Sequence, residues 1–396
     1  MKVPLLDLKI QLIPLRDEII DRLTHVIDSC GYILGPEVQE LEKDVAAYCG
    51  VNHAIGLSSG TDALVAALMA LGIGPEDLVL TTPYTFFATM GGILRLGARP
   101  LFVDIDPVTY NIDPDHTASL LEENDEIRNK IKAILPVHLY GQCADMARIL
   151  ELAERYDLPV IEDAAQAIGA SYPIVKNNRR TWIKAGAMGT AGCFSFFPSK
   201  NLGCMGDGGM VVCNDDRLAE SLKIIRVHGG YPKYHHAVVG GNFRLDAIQA
   251  AVLNVKFSRL PEWHRARRQN AALYNRLFEE SGMVNGGKIR IPLAKYAVES
   301  EKEAFEIDYH IYNQYIIRVS DRDKIKKFLQ DEGIGTEIYY PIPLHRQKCL
   351  AGMGYSELSF PESEKASQET LALPIYPELT DEMQRYVVER IAAFFS

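Results

Sequence analysis

Lys200 stands where an amine could act as a nucleophile. The run Cys193-Phe194-Ser195-Phe196-Phe197 reads as a short buried strand, and Pro198, which has no N–H, ends any continuing ladder. Glycines at 203, 206, 208 and 209 follow, permitting tight turns and close approach to a ligand. A lysine placed between the two, with no acidic neighbour in sequence, can lose its charge by desolvation and form a Schiff base. A solvated lysine at a strand end has the same local sequence. Asp163 closes the apolar run Pro159-Val160-Ile161-Glu162 and precedes Ala164-Ala165-Gln166, which brings little competing charge. It suits a carboxylate partner for a ring nitrogen, and equally a cap for the next helix. Ser58-Ser59-Gly60-Thr61-Asp62 separates a short strand from an alanine-rich helix, which turns free N–H groups and the positive helix end toward one point. That arrangement fits an anion, although Ser59 or Thr61 also serves as a plain N-cap. Phe86 offers a ring that could cover a flat ligand or pack in a core.

These residues need elements to hold them. Residues 1–12 read as an extended arm. A helix is expected from Pro14 to Cys30, closed by Gly31, and a second from Val38 to Cys49, ended by Gly50. Strands are expected at Ala54–Leu57, Leu78–Thr81, Pro100–Ile105, Ile131–Val137, Pro159–Asp163 and Met210–Cys213, with helices between them, as at 63–71 and 144–156. This alternation indicates a mostly parallel α/β sheet, in which ligands sit beyond the carboxyl ends of the strands. The Ser58 turn, Phe86, Asp163 and Lys200 all fall there, so one crevice could hold them. The polar, basic stretch 173–185 reads as an exposed loop. Helical structure over 245–278, interrupted near Pro261, carries the chain away from the sheet. A Gln314–Val319 strand, an Asp323–Glu332 helix and a Thr336–Tyr340 strand then belong to a smaller α+β unit. The division expected is 1–254 and 255–396.

The chain has 396 residues, 47% hydrophobic and 24% charged, enough for two domains of a globular protein. A net charge of −10 disfavours a nucleic-acid binder, which needs a basic surface. No run approaches the roughly 20 apolar residues that span a bilayer, so no membrane is expected as a partner. The N-terminus has no signal-peptide pattern, and seven scattered cysteines without C-x-x-C indicate neither a metal site nor a disulfide framework. A cytoplasmic protein is expected. No G-x-G-x-x-G follows the first strand, as a Rossmann dehydrogenase would require.

A lysine Schiff base to pyridoxal phosphate needs a phosphate cradle, a carboxylate at the pyridine nitrogen and an aromatic over the ring. The motifs Tyr32-Ile33-Leu34-Gly35-Pro36-Glu37-Val38, Ser59-Gly60-Thr61-Asp62-Ala63-Leu64 and Glu162-Asp163-Ala164-Ala165-Gln166 occur in that order. Ser195-Phe196-Phe197-Pro198-Ser199-Lys200, Gly206-Asp207-Gly208-Gly209 and Asn242-Phe243-Arg244-Leu245-Asp246 follow. In these motifs the sequence resembles the fold-type-I pyridoxal-phosphate enzymes and, within them, the DegT/DnrJ/EryC1/StrS sugar aminotransferases. The resemblance implies a central mixed, mostly parallel seven-stranded sheet with a smaller C-terminal α+β domain. It implies that Lys200 holds the cofactor and moves a proton, that Asp163 pairs with the ring nitrogen and that Gln166 lies by the 3-hydroxyl. Phe86 would stack on the ring, Gly60, Thr61 and Ser195 would hold the phosphate, and Asn242 would reach it from the second subunit of a homodimer. L-glutamate would donate the amine to a nucleotide-linked keto sugar, at C3 of a UDP- or dTDP-linked 3-keto sugar. Tyr231, His235, His236, Tyr340 and His345 are the candidates for touching that sugar nucleotide. Relatives that perform dehydration carry histidine where this chain has Lys200. A cyclitol ketone as acceptor, or a regulatory ligand-binding role without turnover, are the alternatives.

Overall fold

Short aliphatic strands with helices on both sides settle side by side and parallel, because neither face of their sheet meets water. The computed structural model describes residues 1–123, 125–176 and 179–396. Its strands are β1 (His53–Leu57), β2 (Leu78–Thr81), β3 (Arg99–Phe102), β4 (Ile131–Ile134) and β5 (Ile161–Asp163). A hairpin follows, β6 (Ser171–Lys176) and β7 (Arg179–Lys184), and then β8 (Ala191–Ser195) and β9 (Gly209–Cys213). β2 pairs in parallel with β3 and β4, and β5 in parallel with β8. β9 runs antiparallel between β8 and β1. Parallel bridges Ile134↔Val160 and Val137↔Asp163 join the two halves. The result is one seven-stranded sheet, ordered β3-β2-β4-β5-β8-β9-β1, with only β9 reversed.

The helix Gly60–Ala70 is apolar almost all round and lies buried, packing Leu64, Ala67 and Leu68 on one sheet face with Ile93 and Leu222. The opposite face carries a larger cluster that includes Val38, Leu41, Met146, Ile149, Ala250 and Leu253. Beyond the sheet, the helix Leu260–Glu280 leads into strands β10 (Tyr315–Arg318) and β11 (Thr370–Leu373), which pair antiparallel. Tyr274, Phe278, Tyr315, Ile325 and Val387 form a separate apolar cluster there, and Val3 of the N-terminus joins it. Among the described residues no helix is long and apolar enough to cross a membrane.

Several local expectations change. The N-terminal arm is not extended throughout: Asp7 accepts a hydrogen bond from the Lys9 N–H at 2.9 Å and starts a helix at Leu8–Leu12. The following helix, Arg16–Ser29, ends on Cys30 in the left-handed conformation (φ 52°), one residue before Gly31. The helical break near Pro261 lies ahead of it, since proline occupies the first turn of Leu260–Glu280. Residues 173–185 form most of the β6–β7 hairpin instead of a loop, and Asn177 and Asn178 at its centre lie outside the described residues. Trp182 donates its indole N–H to Glu303 at 2.9 Å, and the Lys184 ammonium sits 4.1 Å from the Tyr48 ring centre. Arg180 also pairs with Glu303 at 3.6 Å, so two of the basic residues that suggested solvent have partners. Thr336–Tyr340 is no strand. Glu337 alone bridges β11, and the next residues turn toward the sheet end, where Tyr340 packs against Tyr84 and Phe86.

Candidate active site

The loop bearing Lys200 is fastened at several points. The Phe196 N–H donates to Gly208 O and the Cys204 N–H to Phe196 O, each at 2.8 Å, so the chain closes back on the end of β8. The buried Lys256 ammonium donates to Gly203 O at 2.6 Å. Asn201 donates to Ile311 O at 3.0 Å and accepts from Asn313 at 2.8 Å, which ties the loop to the C-terminal unit. A loop so clamped presents Lys200 in a defined place.

Lys200 opens into a cleft of ≈ 480 Å³ at the carboxyl ends of the parallel strands. Gly60, Thr61, Phe86, Asp163, Gln166, Ser195 and Tyr340 also line it. Desolvation brings the Lys200 amine down from 10.5 to about 8, against the opposing pull of the Asp163 carboxylate. Asp163 is 5% exposed, and burial raises its carboxyl above the usual range. Thr89 Oγ1 offsets that by donating to Oδ2 at 2.7 Å, the Ala165 N–H by donating to Oδ1 at 3.2 Å, and Lys200 by charge. Gln166 accepts from the Tyr140 N–H at 2.8 Å and donates Nε2 to the Tyr340 hydroxyl at 3.0 Å, which fixes the orientation of its amide. Phe86 is 55% exposed at the N-cap of the helix Phe87–Arg95, with a ring face open to the cleft.

The anion cradle has a steric basis. Ser59 caps the helix Gly60–Ala70 by accepting from the Asp62 N–H at 3.0 Å, so the plain N-cap reading holds for Ser59. A Cβ on residue 60 would lie 2.6 Å from Ser195 Cβ, so only glycine lets the helix start meet the end of β8. The first N–H groups of a helix have no partner within it. Gly60 and Thr61, the first two residues of this helix, line the cleft together with Ser195.

Other candidates lie outside this cleft. Asn242 is exposed and bridges Val227 through its backbone, outside the cleft lining. Tyr231, His235 and His236 sit on an exposed loop, where His236 donates Nδ1–H to His228 O at 2.9 Å. His345 is 1% exposed, donates to Glu364 at 2.9 Å and packs edge-on against Phe360, away from the cleft. Conversely, Thr89 and Thr85 were not singled out from sequence, although their four-residue spacing across a helix start places both hydroxyls on one side. A further support is Glu162, whose buried carboxylate accepts from His138 at 2.8 Å, Gly186 N at 2.8 Å, Met188 N at 2.7 Å and Gly189 N at 2.6 Å. His138 accepts in turn from Ala144 N at 3.1 Å, so its proton is on Nε2. This network fixes the strand end that carries Asp163.

These residues fit pyridoxal phosphate: a low-pKa amine, a buried carboxylate short of a cationic partner, an open ring face and a helix start narrowed by glycine. A sequence profile of the DegT/DnrJ/EryC1/StrS aminotransferase family matches residues 14–392. The chain is 50% identical over 397 residues to a pleiotropic regulatory protein of Geobacillus stearothermophilus, covering 100% of this chain and 99% of that one. It is 41% identical over 380 residues to the UDP-N-acetyl-3-dehydro-alpha-D-glucosamine 3-aminotransferase of Acidithiobacillus ferrooxidans, covering 96% and 94%. The solved structure of NtdA from Bacillus subtilis, with bound cofactor PMP, matches with a TM-score of 0.85 at 31% identity, covering 100% of this chain and 85% of that one. The chain belongs to the DegT/DnrJ/EryC1/StrS aminotransferase family, and its cofactor is pyridoxal phosphate.

Proposed function

We propose that the protein, as a homodimer in the cytoplasm, transfers an amino group from L-glutamate to C3 of a UDP- or dTDP-linked 3-keto sugar. The observation that carries this reading is the Lys200 amine, depressed to about 8, sharing one cleft with the buried Asp163 carboxylate. The Acidithiobacillus relative, named for a UDP-linked 3-dehydro sugar, supports C3 as the carbon aminated. Seven unpaired cysteines support a reducing compartment.

Bound pyridoxal phosphate supplies an electron sink for the carbon that loses its proton. Lys200 Nζ would hold the cofactor and, once released, carry that proton, which an amine with a pKa near the working pH does in both directions. Asp163 would keep the ring nitrogen protonated by its charge. Gln166, with one Nε2 proton committed to Tyr340, has a second for the cofactor's 3-hydroxyl. Phe86 would cover one ring face and exclude water from it. Gly60, Thr61 and Ser195 would bind the phosphate, joined by Asn242 of the partner subunit. Tyr340 would border the sugar.

Glutamate added to the cofactor-loaded protein should bleach the visible band and release one equivalent of 2-oxoglutarate per site. A UDP-linked 3-keto sugar should then restore the band and yield an amino sugar by mass spectrometry, the pattern of a two-stage cycle. Restoration by a keto-cyclitol alone would redirect the acceptor. No 2-oxo acid from any amino acid tried would favour the regulatory reading, which the name of the Geobacillus relative suggests.

A further inference from the structure

We propose that Thr89, held in orientation by Thr85, is a positioning residue that keeps Asp163 ionised. The inference rests on Asp163 facing the cofactor's ring nitrogen. Asp163 has two donors: the Thr89 hydroxyl at 2.7 Å and the Ala165 N–H at 3.2 Å. The hydroxyl contact is the shorter and goes to the oxygen the backbone does not serve. Thr89 itself is fully buried, and its oxygen lies 3.0 Å from Thr85 Oγ1, which is also buried. A hydroxyl has one proton and a carboxylate only accepts. The Thr89 proton therefore points at Asp163, and Thr85 must donate to Thr89. The relay has one direction, and each donor polarises the next.

The electrostatic surroundings make this hydroxyl matter. A carboxylate taken out of water is penalised unless donors or charges replace the lost solvation. Lys200 is the charged group that acts on Asp163 favourably, but it is also the group that changes charge during use, and the neutral His138 is turned toward Glu162. The hydroxyl relay and the Ala165 N–H are the contributions that stay constant, and the relay is the shorter contact. It starts at the head of the helix Phe87–Arg95, whose positive end also favours a negative charge. Without it Asp163 accepts protons at higher pH, and a neutral carboxyl cannot hold a ring nitrogen in its charged form.

The test uses Thr89→Val, which keeps the shape and removes the donor, and Thr89→Ser, which keeps the donor. Isotope-edited infrared titration of the cofactor-free protein, with the Asp163 carboxyl band assigned by its loss in Asp163→Asn, reads the charge directly. Hydrogen bonds to charged groups are strong enough that Thr89→Val should raise the midpoint by about one to two pH units. Thr89→Ser should leave it near the parent value. The loaded Thr89→Val protein should also show a visible band whose pH dependence differs from the parent's, and bind pyridoxal phosphate more weakly. An unmoved carboxyl titration in Thr89→Val overturns the role of Thr89 and leaves the reading of Asp163 intact. A carboxyl that titrates higher while the visible band and cofactor affinity stay put shows instead that Asp163 does not serve the ring. If Thr89→Val does not fold, Thr85→Val, which removes only the orienting donor, should give a smaller shift of the same sign, and no shift overturns the relay.

Discussion

An amine attacks a carbonyl only after losing its proton, and the surroundings of Lys200 move that point from 10.5 to about 8. Burial provides the shift and Asp163 resists it, so the two residues set each other's charge. In the cofactor-free protein, borohydride-trapped capture of pyridoxal phosphate should therefore rise with pH and level off above about 8. Removing the carboxylate in Asp163→Asn removes an attraction that favours the ammonium, so the same curve should shift to lower pH. A plateau reached only near the ordinary lysine value would contradict the desolvated environment. Lys200 was readable in sequence because Phe196, Phe197, Pro198 and the glycines dictate both a buried approach and an abrupt turn. Thr89 was not, since a threonine in the first turn of a helix looks ordinary and its partner is 74 positions away. A histidine after a proline-rich turn reads as a substrate contact, whereas the fold buries His345 against Glu364 and Phe360.

Elements bring these residues together by meeting at their ends, and Gly60 marks one such close meeting in the cleft. Gly60→Ala would press a methyl against Ser195 Cβ at 2.6 Å, where the end of β8 cannot retreat without disturbing β9 and β5. The variant should lose about 1–3 kcal/mol in urea unfolding, as overpacked positions do. It should also need more pyridoxal phosphate for saturation, because the helix start is displaced from the phosphate. Gly74→Ala, which meets nothing within 4 Å, is the control and should be silent in both measurements. Equal loss in the two variants would remove Gly60 from any special role. The parallel strands were legible because apolar runs ended by small or acidic residues alternate with helical spacing. The β6–β7 hairpin was not, because its four basic residues, Lys176, Arg179, Arg180 and Lys184, mask the alternation that Tyr172 and Ile174 carry. Thr336–Tyr340 has β-branched and aromatic residues, yet the pull of Tyr340 toward Gln166 outweighs pairing along β11.

At the scale of the whole molecule, the proposed homodimer bears on an exposed apolar loop. Tyr231, Tyr234 and Val239 are 71%, 81% and 86% exposed on one loop, more apolar surface than a lone loop needs to offer water. Asn242 follows that loop, is also exposed, and is not among the residues that line the cleft of its own chain. A two-fold dimer that lays this segment over the neighbouring cleft would cover the apolar loop and complete the phosphate site in one contact. The arrangement makes a quantitative prediction for mixed dimers. Lys200→Ala retains Asn242 and Asn242→Ala retains Lys200, so each homodimer has two defective sites. In a heterodimer one site combines both defects and the other combines neither. Random re-association of equal amounts makes half the dimers mixed, so activity should recover to about a quarter of the parent value. If every residue of the site came from one chain, mixing would give only the average of the two separate variants. Dissociating the dimers in mild denaturant, remixing them and assaying across a range of ratios distinguishes the two, because recovery by complementation is greatest at equal amounts, whereas an average changes linearly with composition.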